Sequence, residues 1–442
     1  MPVRNRPRQK PASLLGSLFA NTVWMLAGKG FGAVCSLIYL AILTRSLGLK
    51  AFGHFSLILG TSQAFIAIAG FQTWRIVVRY GARHAHDKDW AAFGRLGMFA
   101  GLIDVAGALC GCILAYGAII HFGDALGLNP SLVSTAFWFN VASLWAIASA
   151  PTGIVRALDR FDLAVYVEAI VPLGRLLAAV TISLTGPSLA RFLLAWALID
   201  LLEAALYWGT ARYLCPEALK LRQLKDWRRA FAENPGVGHF AVVTYLGASL
   251  SAAVRSGPLL AIGFFVGTRA AGLYRLADQL AQGLSKLSTL LTRATYAEIS
   301  RASVVADATE FRKLTMQTTM LASAAGVIVV TLAVALGGTL LEIMGGAAFR
   351  KGYVILIPLT VAASLELASV AFEPVLHATG QARTALVTRL IGLGGMIISA
   401  FLLKAQSGPA IAWSVAIGAT VTYLVLGLLM LRTLHRAKRQ GG

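Results

Sequence analysis

Runs of twenty or more mostly apolar residues recur along the chain, each closed by glycine, proline or clustered charge. They lie near 14–43, 52–74, 94–120, 131–150, 162–185 and 188–212. After a polar, basic stretch, six more lie near 239–266, 270–296, 314–336, 353–376, 383–404 and 409–431. Each is long enough to cross the ~30 Å hydrocarbon core of a bilayer as a helix. Lipid cannot satisfy exposed backbone N–H and C=O groups, so spans this dense must be helices. The ten-residue alternating strands of an outer-membrane barrel do not occur in the sequence. The pattern predicts an all-α integral membrane protein with about twelve transmembrane helices.

Composition agrees. The chain is 57% hydrophobic and 13% charged, against about 45–50% and about 25% in soluble domains. This excludes a soluble globular protein, a disordered chain and a disulfide scaffold. Cys35, Cys110, Cys112 and Cys215 form no C-x-x-C pair and read as small packing residues. The N-terminus, MPVRNRPRQKPASLL, has the basic character of a signal peptide. The apolar run behind it is too long for a signal h-region and has no clear cleavage site, so it reads as an uncleaved first span.

Net charge is +20, from 39 Lys+Arg and 19 Asp+Glu. With the N-terminus in the cytoplasm, 27 of the 39 basic residues fall on cytoplasmic segments, 8 on the opposite side and four within spans. This asymmetry places both termini in the cytoplasm. It assigns most of the excess charge to topology and contact with anionic phospholipids, not to nucleic acid.

A repeat crosses the middle of the chain. LGLKAFGHFSL (47–57) and VGTRAAGLYRL (266–276) match at Gly48/Gly267, Lys50/Arg269, Gly53/Gly272, Phe55/Tyr274 and Leu57/Leu276. Both segments join the first two spans of a six-span half. An even number of spans gives the halves the same orientation, so the expected architecture is two parallel six-helix repeats around a central cavity. The corresponding lobes are 1–213 and 237–442, joined by a basic cytoplasmic linker, 214–236.

Ionisable groups inside spans are expensive in lipid and should face a cavity or a partner. The cations are Lys29, Arg175, Arg255 and Lys286; the acids are Asp104, Glu168, Asp200, Glu203, Asp278 and Glu366. In the eighth span Arg275, Asp278, Gln279, Gln282, Ser285, Lys286, Thr289 and Arg293 recur at helical spacing on one face. Such a stripe fits a water-filled cavity or a polar seam between helices. Glu168 and Arg175 share a face and fit either a structural salt bridge or a functional pair. Asp200 and Glu203 fit a cation or proton site, or neutralisation of Arg175. Lys as a point charge and Arg as a fork suit phosphate, so Lys29, Arg175, Arg255 and Lys286 are the candidate substrate-binding cations. Glu168, Asp200, Glu203, Asp278 and Glu366 are candidates for coupling or charge pairing. Pro172, Pro258, Pro358 and Pro374 interrupt spans and can supply kinks, in a moving or a static bundle.

Other motifs carry less. Gly28-Lys29-Gly30 lacks the spacing of a phosphate loop. Gly28-x-x-x-Gly32 and Gly107-x-x-x-Gly111 suit close helix packing. His84-x-His86-Asp87 reads as a solvated turn rather than a metal site. No hydrolase arrangement, catalytic residue, cofactor motif or ATPase motif is legible, so the expectation is a non-enzyme driven by H+ or Na+ coupling, the membrane potential or substrate flow.

TRSLGLKAFGHFSLILG, after the first span, resembles the L-G-x-x-x-F-G-x-F-S-L signature of the polysaccharide-transport family. That family includes the Wzx-like O-antigen flippases of the multidrug/oligosaccharidyl-lipid/polysaccharide exporter (MOP) superfamily. GTRAAGLYRLADQLAQGLSKL, TYAEISR and HATGQARTALVTRLIG resemble its second-half segments. The resemblance implies a two-lobed inner-membrane transporter moving an undecaprenyl-diphosphate-linked oligosaccharide by alternating access. Its partners would be the polyprenyl diphosphate glycan and polysaccharide polymerase machinery. A drug exporter of the same superfamily and, in a different class, an integral-membrane glycan ligase or polymerase are the alternatives.

Overall fold

The computed structural model describes residues 14–122, 129–283, 308–369, 372, 382–403 and 406–440, and of these the side chains other than those of 14–29, 122, 221, 308–315, 318, 382–386 and 433–440. The described residues are almost wholly helical, with no strand among them. The helices are α1 (Leu14–Ala69), α2 (Thr73–His86), α3 (Trp90–Phe122), α4 (Pro130–Trp145), α5 (Ser149–Ala157), α6 (Phe161–Thr185), α7 (Leu189–Leu214), α8 (Leu221–Lys225), α9 (Arg229–Glu233) and α10 (Val237–Phe265). They continue as α11 (268–283), α12 (Ala308–Gly345), α13 (Tyr353–Ala368), α14 (Ala382–Leu402) and α15 (Gly408–Gln440). Eight helical stretches among the described residues are long and apolar enough to cross a membrane. The described part of each expected span falls on these helices, α1 covering the first and most of the second and α4–α5 together making the fourth; 284–296, 370–371 and 373–376 of the eighth and tenth spans lie outside the described residues. Large apolar side chains such as Ile113, Trp138, Leu184 and Phe401 are exposed on the outside, as lipid contact requires.

Helix starts follow local chemistry. Pro130 opens α4 with Asn129 accepting from the Ser131 N–H, and the Ser188 hydroxyl accepts from the Arg191 N–H to cap α7. Pro172, Pro258 and Pro358 sit inside α6, α10 and α13; Pro374 lies outside the described residues. The small-residue stripe of α3 is used for packing. A Cβ on Gly107 would come within 2.2 Å of the Ala69 carbonyl oxygen, and one on Gly111 within 2.6 Å of Leu144.

The chain divides into two compact units. The first takes the chain up to Leu47 together with Ile58–Gly257, and the second takes Gly48–Leu57 together with Pro258 onward. The division falls inside α10, immediately before Pro258, rather than in the segment 214–236.

That segment, expected as a linker, is folded onto the first unit. Trp227 of the α8–α9 connection stacks on Phe99 of α3 at 6.1 Å, and Phe231 meets the same ring edge-on at 4.7 Å. Arg95 Nε donates to Glu233 at 3.0 Å. A Cβ on Gly94 would strike the Ala218 carbonyl oxygen at 2.5 Å. His84, expected in a solvated turn, is buried, with Nε2 2.9 Å from Asn234 Oδ1. Asn234 Nδ2 is committed to the Ala230 carbonyl, so Oδ1 accepts and His84 Nε2 donates.

In the second unit the two copies of the repeat pack on each other. Gly48 (φ 69°) and Gly267 (φ 106°) both take positive φ, and Gly48, with ψ 174°, lies in a region essentially restricted to glycine. Gly53 and Gly272 are the contact itself. A Cβ on Gly53 would lie 2.0 Å from the Thr268 carbonyl oxygen; one on Gly272 would lie 3.0 Å from the Leu49 carbonyl oxygen and 3.2 Å from Gly53 Cα. The matched glycines of the sequence are therefore matched in geometry: one pair turns the chain, the other lets two backbones touch.

Candidate functional site

The first unit holds a chain of charges across α5, α6 and α7. Arg156 of α5 donates through Nη2 to Glu168 of α6 at 2.7 Å, and the Tyr207 hydroxyl of α7 donates to the same oxygen at 3.2 Å. Seven residues further along α6, Arg175 donates through Nη2 to Asp200 of α7 at 2.6 Å. Its guanidinium lies 5.5 Å from the Trp196 ring centroid, within cation–π range. Trp196 is fixed by Tyr39 and Phe192, both edge-on. Arg175 Nε is buried with no hydrogen-bond partner among the described residues.

Glu203 lies three residues beyond Asp200 on α7, one helical turn on. It is half-buried and has neither ion pair nor hydrogen bond among the described residues. The group thus contains Glu168, Asp200 and Glu203 against Arg156 and Arg175, one acid in excess when all are ionised. Glu168 and Arg175 share a face, as their spacing requires, but each pairs with a neighbouring helix rather than with the other.

A second polar node lies at the break between α4 and α5. Asp104 of α3 is 9% exposed. Both its oxygens accept from the Thr73 hydroxyl at 2.8 Å, and Oδ2 accepts from the Ala150 N–H at 2.9 Å. The Ser149 hydroxyl lies 2.9 Å from Thr73 Oγ1 and accepts from the Trp74 N–H at 3.1 Å. One carboxylate therefore serves the first turns of α2 and α5 together, where helix N–H groups are unsatisfied and the dipole favours an anion. Sequence reading marked Asp104 as an in-span acid but assigned it no role. The signals were present: Thr73 and Ser149 are cap-type residues, and Pro151 follows in a first helical turn.

The remaining candidates are dispersed. Arg255 is exposed on α10 with no ion pair among the described residues. Asp278 of α11 accepts from Gln282 Nε2 at 2.9 Å, one turn along the polar stripe. Glu366 is exposed near the end of α13. Lys29 lies on α1 with its side chain outside the described residues, and Lys286, with the stripe from Ser285 onward, is also outside them.

The family described as "Polysaccharide biosynthesis protein" matches residues 18–303. The chain belongs to that family. It is similar to the inner membrane protein YghQ of Escherichia coli (strain K12), 23% identical over 351 residues, covering 76% of this chain and 95% of that protein. Among solved structures, the lipid II flippase MurJ in an inward closed conformation aligns with TM-score 0.70 at 11% identity, over 94% of this chain and 90% of that one. An inward-facing multidrug resistance MATE transporter aligns with TM-score 0.69 at 13% identity, over 93% and 96%. The fold is shared with both of these proteins, and the expected all-α membrane architecture holds.

Proposed function

We propose that the protein flips an undecaprenyl-diphosphate-linked oligosaccharide across the bacterial inner membrane by alternating access, with both termini in the cytoplasm. The observation that carries the reading is family membership over residues 18–303 on a fold shared with a lipid II flippase. The similar inner membrane protein supports the location, and the excess of Lys and Arg on one side supports the orientation.

Within this reading the candidates take different roles. Arg175 is engaged by Asp200, so Arg255, with Lys29 and Lys286, is the better substrate cation. Glu203, unpaired beside two ion pairs, is the coupling candidate for H+ or Na+. Pro258, at the division of α10, is a candidate hinge. Reconstitution with the polyprenyl-diphosphate glycan, following headgroup exposure in each leaflet, tests the reading. Wild type should accelerate exchange, and Arg255→Ala should slow it. Glu203→Gln should abolish its dependence on an imposed gradient. Exchange no faster than in empty vesicles overturns the proposal.

The acid excess around Glu203 favours a second reading, export of a cationic drug. Gradient-driven efflux of a cationic dye, in vesicles that move no glycan, would establish it instead.

A further inference from the structure

We infer that α2 is a docking surface for anionic phospholipid headgroups, built on Arg75 and Arg79. The argument begins with connectivity. α2 has 14 residues, about 21 Å of helix, and short connections of three residues each join it to α1 and α3. Both neighbours are long and apolar enough to cross the bilayer. A helix joining consecutive spans has both ends at one face of the membrane, so α2 lies along the interface.

Its inner face is consumed by protein. Thr73, Ile76, Val77, Gly81 and His84 are buried, and a Cβ on Gly81 would meet the Phe93 ring at 2.8 Å. The apolar side therefore does not enter lipid, and the outer face is what the membrane surface meets. That face carries Arg75, Arg79 and Arg83, all exposed and spaced by four residues, one above another about 6 Å apart.

The three are not equivalent. Arg83 has Asp87 within 3.8 Å. Arg75 and Arg79 have no carboxylate partner among the described residues; they rest on rings instead. Arg75 lies 5.3 Å from the Trp74 centroid, and Arg79 lies 5.6 Å from Tyr80 and 4.3 Å from Phe240. A ring holds the guanidinium plane without neutralising it. Two oriented, un-neutralised guanidiniums at the headgroup level are complementary to phosphate, and the anionic source always present there is phospholipid. Each basic residue near an anionic surface favours it roughly five-fold, so the pair supplies about thirty-fold preference for anionic over zwitterionic lipid.

The test is titration of the full-length protein in detergent micelles with phosphatidylglycerol or phosphatidylcholine, following thermal stabilisation. Wild type should prefer phosphatidylglycerol, with the preference falling about thirty-fold in R75Q/R79Q. It should be retained in R75K/R79K in large part, and should fall clearly less in R222Q/K225Q, which removes two exposed charges that rest on no ring among the described residues. An unchanged preference in R75Q/R79Q overturns the proposal, as does an equal loss in R222Q/K225Q. Inorganic pyrophosphate is the third probe. If it binds wild type at these arginines and phosphatidylglycerol does not, the surface recognises a free diphosphate and the lipid assignment is wrong. None of these readouts depends on translocation.

Discussion

Replacing Gly53 by alanine probes the contact between the two repeat copies at its tightest point. The added Cβ would lie 2.0 Å from the Thr268 carbonyl oxygen and 2.7 Å from its carbon. Ordinary van der Waals contact begins near 3.4 Å, so the backbones must separate by about 1.4 Å. The obstacle is main chain at the start of α11, which cannot rotate away as a side chain would. Overpacking of a well-filled site costs about 1–3 kcal/mol and more where relief is blocked, which puts Gly53→Ala at about 3 kcal/mol. Gly272→Ala meets its neighbours at 3.0–3.2 Å; a few tenths of an ångström relieves it, at about 1 kcal/mol. Gly48→Ala has nothing within 4 Å, and its cost is backbone strain of about 1–3 kcal/mol. Gly117, inside α3, also has nothing within 4 Å, so its alanine variant should be neutral or slightly stabilising.

Thermal unfolding of the four variants in one detergent measures the order directly. The expected ranking of destabilisation is Gly53 above Gly272, both above Gly117, with Gly48 destabilised by a mechanism independent of its neighbours. A Gly53→Ala variant that melts with Gly117→Ala would refute the close backbone approach, because no rotamer change can absorb a clash between main chains. A double Gly53→Ala/Gly272→Ala variant adds a further check. Once the first alanine has separated the backbones, the second should cost little, giving clear non-additivity.

Three further outcomes follow from long-range side-chain contacts. Asp104→Ala removes the acceptor for both Thr73 and Ala150; at about 1.5–3 kcal/mol for each bond to a charged group, thermal melting should fall by the equivalent of about 3 kcal/mol or more. Asp104→Asn, which keeps an acceptor oxygen, should recover about half. Arg175→Leu leaves Asp200 uncompensated and should cost about 3–5 kcal/mol, whereas Arg175→Leu/Asp200→Leu should recover most of it; equal melting of the single and double variants would show that the pair is not coupled. Trp227→Ala should loosen the folded 214–236 segment by about 3 kcal/mol, the low end for a large ring of intermediate burial, read as faster trypsin cleavage after Lys225, Arg228 and Arg229 than in wild type; unchanged cleavage would mean the segment is not held by this ring.

Periodicity and turn chemistry made much of the fold legible. The apolar runs located the helices because membrane spans must be both long and internally hydrogen-bonded. The 47–57 and 266–276 repeat pointed to glycines whose geometry proves equivalent. What stayed hidden depended on long-range pairing. Nothing near Asp104 announces that its partners lie at Thr73 and Ala150, and the break between α4 and α5 falls inside an apolar run. The segment 214–236 looks like a linker because it is polar and short of long apolar runs. Its docking rests in part on two aromatic residues, Trp227 and Phe231, whose partner Phe99 is more than a hundred residues earlier. The fate of Arg175 was likewise undecidable by spacing, since Glu168 and Asp200 were both available carboxylates.

The pairing of Arg175 also changes what a charge within a span signifies. A guanidinium held in a membrane-spanning helix without a counter-ion is costly, so a buried one is found with its carboxylate, as Arg175 is with Asp200. A cation waiting for a phosphate cannot be satisfied in that way in the empty state, and must face water or headgroups instead. Arg255 meets that condition, being exposed and without a carboxylate partner among the described residues. The two arginines should therefore fail differently. Arg175→Gln should lower stability and reduce transport only in proportion to the protein that survives, with the rate per folded molecule near wild type. Arg255→Gln should leave melting within about 0.5 kcal/mol, as expected for an exposed position, and reduce the rate per folded molecule. Measuring both quantities on both variants separates a structural ion pair from a ligand-facing cation. The opposite assignment, stability lost at Arg255 and rate lost at Arg175, would reverse their roles.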